Sequence, residues 1–201
     1  MDGQDYLNQI SASVRPEKKS KLSFLNSKVS KLILGAVALF ILIAVVGGIL
    51  GGGKGGAKDQ AVSLKLSIDS ALKVIEKFQP SVKSSVLRSS SASLYSVLSN
   101  TTRDLTTYVT SVYKYTPKDD DKKFANAIAL ERDGLESALF EAKINGILDQ
   151  VYANKMAYTI SLIYSKETNL DKVAGENLKK ILDPSISSLE TLYNEFDNFQ
   201  K

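Results

Sequence analysis

Cysteine, histidine and tryptophan are absent from this chain of 201 residues. Without cysteine the protein can form no disulfide and has no thiolate nucleophile. Without cysteine and histidine together, the usual ligand sets for zinc, copper and haem iron are missing, and a Ser-His-Asp triad is impossible. The remaining residue types show no catalytic spacing, so we expect a non-enzymatic protein without a cofactor or bound metal.

The net charge of +4 is unevenly distributed along the chain. Residues 1–58 carry eight basic and three acidic side chains, whereas residues 59–201 carry 18 basic and 19 acidic ones. The basic character therefore belongs to the N-terminal end. Because the larger C-terminal part is close to neutral, we expect no nucleic-acid partner.

Residues 32–50 form a run of 19 residues without a charge. A helix of that length spans ~28 Å, which is close to the ~30 Å hydrocarbon core of a bilayer. A secretory signal peptide usually has a shorter apolar region of ~7–15 residues near the N-terminus. The small residues Gly55, Gly56 and Ala57 loosely resemble a cleavage site, but the length and position of the run favour a retained anchor.

The distribution of basic residues predicts the orientation of this anchor. Six Lys or Arg residues precede the span, and three lie within the twenty residues after it. This excess places the N-terminus in the cytoplasm and the C-terminal domain outside the plasma membrane. The predicted organisation is a basic cytoplasmic tail (1–31), a single transmembrane helix in the lipid bilayer (32–50), a Gly-rich linker (51–58) and an extracytoplasmic domain (59–201).

Small residues recur towards the end of the apolar run. Ala44, Gly48 and Gly52 fall on one helical face at a spacing that allows two transmembrane helices to approach closely. This pattern predicts a homodimer through the anchor. The simpler interpretation is that the glycines only loosen the helix end before the flexible linker "GGGKGG".

Apolar residues in the C-terminal part recur at alternating spacings of three and four, which predicts amphipathic helices. We expect an all-α fold, an antiparallel bundle of four to five helices with short connections. A single elongated coiled coil is the alternative, and the prolines at 80, 117 and 184 argue for reversals instead. The predicted helices cover residues 61–78, 80–112, 116–163 with a kink at Asn145-Gly146, 170–182 and 184–199.

The stretch "TPKDDD", residues 116–121, predicts a helix start. Thr116 can cap the helix, Pro117 suits its first position, and the three aspartates face the positive end of the helix dipole. These aspartates lack the spaced ligands and the glycine of a calcium loop. Capping is therefore the better account of this stretch.

Four carboxylates cluster further along the same predicted helix: Glu131, Asp133, Glu136 and Glu141. Di-iron bundles pair glutamate with histidine, which this chain lacks. Glu131 shares the apolar stripe of Ile128 and Leu135, so we expect it to be a buried acid paired with Lys or Arg. The other three are typical of a solvated helix face.

Residues 83–100 contain eight serines. These serines either line a face for a polar ligand or, as at Ser90, let a neighbouring helix pack closely.

Tyr108, Tyr152 and Tyr193 lie on apolar stripes, so we expect them in the core. Exposed tyrosines are typical of protein-binding surfaces. We expect four tyrosines to be exposed and to form a partner-binding site: Tyr113, Tyr115, Tyr158 and Tyr164.

The polar start "MDGQDYLNQISASVRPEKKSK", the anchor "SKLILGAVALFILIAVVGG" and a helical exterior rich in Lys, Ser and Tyr occur together. This layout resembles uncharacterised single-pass membrane proteins of small host-dependent bacteria such as the Saccharibacteria. The resemblance covers the N-terminal third of the chain and implies a cell-surface location. It carries no functional residue across.

Two functions are consistent with these patterns. The first is a membrane-anchored helical bundle that binds an unknown protein or envelope component at the cell surface. The alternative is a sensor-like module that holds a small molecule between helices near the Asn145-Gly146 kink. A pocket of several hundred Å³ favours the sensor, whereas a filled core with an exposed aromatic patch favours the interaction protein.

Overall fold

The computed structural model describes residues 56–199, and these residues form six α-helices and no β-strand. The all-α fold expected from the apolar spacing is confirmed for this part of the chain. A short 3-10 turn, Gln79–Ser81, follows the first helix. The helices are α1 (Ala57–Phe78), α2 (Ser85–Tyr113), α3 (Pro117–Asp120), α4 (Lys122–Ile144), α5 (Leu148–Asp171) and α6 (Glu176–Asn198).

Helix α1 is buried over a wide arc. The whole predicted stripe of this helix, from Ala61 to Phe78, is buried, and Val62 and Val74 beside it are also buried. These additional positions widen the apolar face beyond that of a helix packed on one side only. Accordingly, α1 packs against three other helices, α2, α4 and α5.

Four helices form the core of the bundle. Around the ring, α1 packs on α2, α2 on α6, α6 on α5 and α5 on α1. Each neighbouring pair is antiparallel: for example, Ser90 near the start of α2 donates a hydrogen bond to Glu195 near the end of α6. The rings of Tyr152 and Phe196, both fully buried, lie 6.4 Å apart between α5 and α6.

Helix α4 lies outside this four-helix core, against α1 and α5. It runs in the same direction as α1, since Lys123 pairs with Asp59 near both starts and Lys143 bonds Ser81 near both ends. Its buried residues are few: Leu135, Leu139 and Ala142.

Asn145 and Gly146 end a helix, whereas the sequence pattern predicted only a kink. Gly146 has φ +72°, in the left-handed region that favours glycine. The Ile147 N–H bonds the Ala142 carbonyl at 3.0 Å, and the Gly146 N–H bonds the Lys143 carbonyl at 3.2 Å. This pair of bonds is a Schellman motif, which closes α4 and lets α5 start in a new direction. The single helix predicted over 116–163 is therefore wrong.

Three other predicted boundaries were also wrong. A break was expected between residues 163 and 170, but α5 continues to Asp171. Pro184 was expected to start the last helix, but it lies inside α6 on an exposed face, where only one backbone hydrogen bond is lost. Pro80 was expected in the first turn of the second helix, but it lies in the 3-10 turn. Helix α2 starts at Ser85 because the Ser84 hydroxyl accepts a hydrogen bond from the Leu87 N–H at 3.3 Å.

The predicted start at residues 116–121 is confirmed with one difference. Pro117 occupies the first turn of α3. The Thr116 side chain makes no capping bond. Instead, the Thr116 N–H donates to Asp120 Oδ2 at 2.8 Å, so a first-turn carboxylate bonds the backbone of the capping residue.

Among residues 56–199, no helix is both long and apolar enough to cross a membrane. The predicted anchor at 32–50, its small residues Ala44, Gly48 and Gly52, and the tail at 1–31 lie outside the described residues. Helix α1 begins at Ala57, two residues before the predicted start of the C-terminal domain.

A buried hydrogen bond joins α2 to α5 and supplies a first test of the packing. The Ser91 hydroxyl donates to the Tyr152 hydroxyl at 3.0 Å, and both side chains are fully buried. Tyr152→Phe should lower the free energy of unfolding by about 1–3 kcal/mol, because it leaves the Ser91 hydroxyl buried without its partner. Chemical denaturation of the full-length protein measures this change.

The matched control is the double variant Ser91→Ala/Tyr152→Phe, which removes both partners. It should be more stable than Tyr152→Phe alone, since no polar group is then left unpaired at this position. Equal destabilisation of the single and double variants would contradict the pairing.

Candidate interaction surface

A small cleft lies between α1, α4 and α5. Its volume is about 40 Å³, whereas pockets for small molecules usually enclose ~300–1,000 Å³. A cavity of ~10–15 Å³ on the same measure holds one water molecule, so the cleft has room for a few water molecules and not for a metabolite. Asn145 and Gly146, where the sensor interpretation placed a ligand, are exposed in the turn between α4 and α5.

The polar groups that line this cleft include Glu131, Lys166 and two serines of α1. Burial raises the pKa of Glu131, and the positive charge of Lys166 opposes that rise. Burial lowers the pKa of Lys166, whose ammonium donates a hydrogen bond to the Ser67 hydroxyl at 2.6 Å. Glu131 is half-buried and lies near the charge of Lys166, so the prediction of a buried acid paired with a basic residue is confirmed only in part.

The other carboxylates of α4 form ion pairs or are exposed to solvent. Asp133 lies 2.9 Å from a guanidinium nitrogen of Arg132, and Glu136 pairs with Lys77. Glu141 is exposed. Within the described part of the chain, no three acidic side chains lie close enough together to hold a metal ion.

Glu167 is a fully buried acid that the sequence pattern did not single out. Its Oε1 accepts a hydrogen bond from the Ser185 hydroxyl of α6 at 2.8 Å, and its Oε2 has no hydrogen-bond partner among the described residues. Burial raises the pKa of Glu167 to about 8, although the bond from Ser185 lowers it. The side chain is therefore mostly protonated at neutral pH.

The sequence contained a signal for this residue. Glu167 follows Ile160 and Ile163 and precedes Leu170 at the three-four spacing of a buried stripe. A charged residue on such a stripe should be examined as a buried acid. Lys155 is a second example on the same helix, with 7% of its surface exposed and a pKa lowered by burial.

The four tyrosines predicted to form one exposed site differ in their surroundings. Tyr115 is buried, so the prediction that it is exposed was wrong. Lys114 adopts a left-handed conformation with φ +52° at the end of α2, and the chain then turns back. The Tyr115 hydroxyl consequently donates to Asp121 Oδ1 at 2.6 Å.

The remaining three tyrosines of that set are half-buried. The ring of Tyr113 packs edge-to-face on Tyr108 with 5.5 Å between centroids. Burial raises the pKa of Tyr158, and the charge of Glu131 raises it further, so this side chain lies near the cleft. A partner-binding role for Tyr113, Tyr158 and Tyr164 stays a prediction.

The three tyrosines predicted to lie in the core differ in their burial. Tyr152 is fully buried, as predicted. Tyr108 is half-buried. Tyr193 is 37% exposed, so its predicted core position was wrong.

Among the predicted small packing residues, Ser90 is buried between α2 and α6, where its hydroxyl donates a hydrogen bond to Glu195 at 2.6 Å.

Among residues 56–199, the main exposed apolar surface lies on α4. Leu130, Phe140 and Ile144 are 67%, 57% and 70% exposed. They lie on the side of the helix opposite the buried Leu135 and Leu139. We call this side the outer face of α4, defined by the exposed residues Asn126, Leu130, Asp133, Ser137, Phe140 and Ile144.

The outer face was not predicted from the sequence. A helix that packs on one side of a bundle is expected to have one apolar stripe, and α4 has a second. Other large apolar residues with high exposure are scattered singly over α2, α6 and the turn after α5: Val86, Val112, Val173 and Tyr193. Three large apolar side chains on one face of one helix are typical of a docking surface.

The buried acid Glu167 predicts an unusual pH dependence of stability. Its pKa is about 8 in the folded protein and ~4.3 in an unfolded chain. The unfolded state therefore loses this proton first as pH rises, and folding stability falls between about pH 4.5 and pH 8. The slope from this one residue is at most about 1.4 kcal/mol per pH unit.

Glu167→Gln removes the ionisable group and keeps an oxygen that can accept from Ser185. We expect the free energy of unfolding to fall less steeply across this window, since only Glu167 is removed and the raised pKa of Glu131 remains. The variant should be more stable than the parent at the alkaline end of the window. Denaturant unfolding at a series of pH values measures this. Glu190→Gln, an exposed change on α6, is the matched control, and an identical pH profile for both variants would contradict the assignment.

Comparison with known proteins identified no relative of this chain. No family model matches the chain, and neither a curated protein nor a solved structure is similar to it. The candidate surface therefore rests on the geometry of the chain itself.

Proposed function

We propose that this protein is a membrane-anchored, non-enzymatic helical bundle that binds another protein or an envelope component at the cell surface. The observation that carries this proposal is the outer face of α4, where Leu130, Phe140 and Ile144 are exposed on a helix outside the four-helix core. Removing such side chains from water is the main driving force of protein association.

The filled interior supports binding on the outside of the bundle. The long side chains at the centre of the core, such as Tyr152, Met156 and Phe196, are fully buried. The cleft between α1, α4 and α5 is about 40 Å³, too small for a metabolite. These observations favour an interaction protein over the alternative, a sensor-like module that binds a small molecule.

The anchor is supported by the sequence. Residues 32–50 are long and apolar enough to span a bilayer, and the excess of basic residues before them favours a cytoplasmic N-terminus. Helix α1 begins at Ala57, after the glycine-rich segment that follows the apolar run. The proposed location is the plasma membrane, with the bundle outside, as in the single-pass surface proteins of Saccharibacteria-like bacteria that the layout resembles.

The proposed topology can be tested by protease treatment of intact cells. We expect the protease to remove the bundle, residues 59–201, and to leave a membrane-bound fragment near residues 1–58. Mass spectrometry of the membrane fraction measures that fragment. A full-length, protected protein would show that the orientation is inverted, and a chain already cut near Ala57 before treatment would show that the anchor is removed.

The role of the outer face can be tested with the double variant Phe140→Ser/Ile144→Ser. Because both side chains are exposed, the free energy of unfolding should change by no more than ~1 kcal/mol. We expect the variant to lose the covalent adducts that the parent forms when intact cells are treated with a lysine-reactive cross-linker.

The matched control is Val86→Ser/Val112→Ser, which makes a similar change at two exposed residues of α2. This control should keep the adducts. Adducts of equal yield in both double variants would mean that the outer face of α4 is not the docking surface.

A further inference from the structure

The residues of the outer face follow a regular spacing. Positions 126, 130, 133, 137, 140 and 144 are separated alternately by four and three residues, and all six side chains are exposed. This is the spacing of the contact seam of a coiled coil. The first turn of the seam starts at Asn126, and its last residue is Ile144, the final residue of α4.

We propose that this seam pairs with the same seam of a second copy of the protein, in antiparallel orientation, to form a symmetric homodimer. This inference rests on the proposed role of the outer face of α4 as a docking surface and names its occupant. A two-fold symmetric contact requires a self-complementary surface, in which each residue meets a different, compatible residue of the other copy.

The antiparallel register meets that requirement at the centre of the seam, and at each end of the seam Ile144 meets Asn126 of the second copy. With the two-fold axis between Asp133 and Ser137, Leu130 lies opposite Phe140 of the second copy, and Phe140 lies opposite its Leu130. These two layers bury an aliphatic side chain against an aromatic ring. Asp133 lies opposite Ser137 of the second copy, whose hydroxyl can donate a hydrogen bond to the carboxylate.

The parallel register is opposed by charge. It places Asp133 against Asp133 of the second copy at the centre of the seam, where like charges in contact are unfavourable. It also brings the flanking Glu136 towards Glu141 of the second copy, since these are the flanking positions that meet in a parallel pair. Reversing one helix separates the two Asp133 side chains and moves Glu136 away from Glu141 of the second copy. Glu136 then lies beside Glu136 of the second copy at the two-fold axis, where each carboxylate already pairs with Lys77 and Arg132 of its own chain.

The charged side chains at the end of α4 fit the antiparallel register. Glu141 then lies beside Ala127 of the second copy, and Lys143 lies beside its Ala129. Ala127 has a small, exposed side chain and Ala129 a small, half-buried one. Small neighbours leave each charged side chain room to reach water, so neither charge is buried by the contact.

The absence of cysteine makes a disulfide test simple, because each introduced cysteine is the only thiol in its chain. Full-length Leu130→Cys and Phe140→Cys, carrying tags of different size, are purified in mild detergent, mixed and oxidised. We expect a mixed disulfide dimer of the two variants. One of the two Leu130–Phe140 layers stays intact in that dimer and holds the register.

Each variant oxidised alone should form little dimer. In the antiparallel register two copies of position 130 are separated by ten residues along the helix pair, which is ~15 Å and beyond the reach of a disulfide. Val86→Cys mixed with Val112→Cys, both exposed on α2, is the matched control and should give no dimer above background.

Two results would overturn the inference. Strong dimers of Leu130→Cys alone, with few mixed dimers, would show a parallel pair. No mixed dimer above the α2 control would show that a second copy does not occupy the face. If that second result occurs while Phe140→Ser/Ile144→Ser still loses its adducts on cells, the docking role stands and a different protein is the occupant. If the adducts persist as well, both proposals fail.

Discussion

The burial of α1 on three sides is the constraint on which the rest of the described fold depends. Its apolar arc, from Ala61 to Phe78, packs on α2, α4 and α5. Helix α6 closes the ring of four by packing on α2 and α5. Helix α4 therefore remains outside that ring and contacts only one side of it. An external helix with a second apolar stripe presents that stripe to solvent, and the proposed function follows from this position.

Burying polar groups in the core costs free energy, and the packing of apolar side chains around them offsets this cost. The Ser91–Tyr152 hydrogen bond satisfies two buried hydroxyls between α2 and α5. Glu167 is tolerated because burial raises its pKa and the carboxyl keeps its proton at neutral pH. Such a group favours the folded state under acidic conditions, and its contribution to stability falls as the pH rises towards 8.

Much of the fold could be predicted from apolar spacing, and the exceptions have physical causes. Helices α1 and α2 were predicted because each packs a regular stripe into the core. The prediction that a helix starts at Pro184 was wrong because the loss of one backbone hydrogen bond on an exposed helix face is tolerated within a packed bundle. Tyr115 was misplaced because the left-handed Lys114 turns the chain back, which periodicity does not encode. Of the candidate site, the burial of Glu131 was predicted in part, whereas the outer face of α4 depends on which helix stays outside the ring, a property of tertiary packing.

Because the core of residues 56–199 is filled with side chains, we propose that recognition occurs on the outer face of α4. The most direct test is a photo-cross-linking scan, in which a benzophenone amino acid replaces successive residues of α4 in the full-length protein on living cells. The account predicts adducts that peak at positions 130, 137, 140 and 144 and fall away at positions turned towards α1 and α5. Adducts without this helical period, or equal adducts at exposed positions of α2, would contradict it.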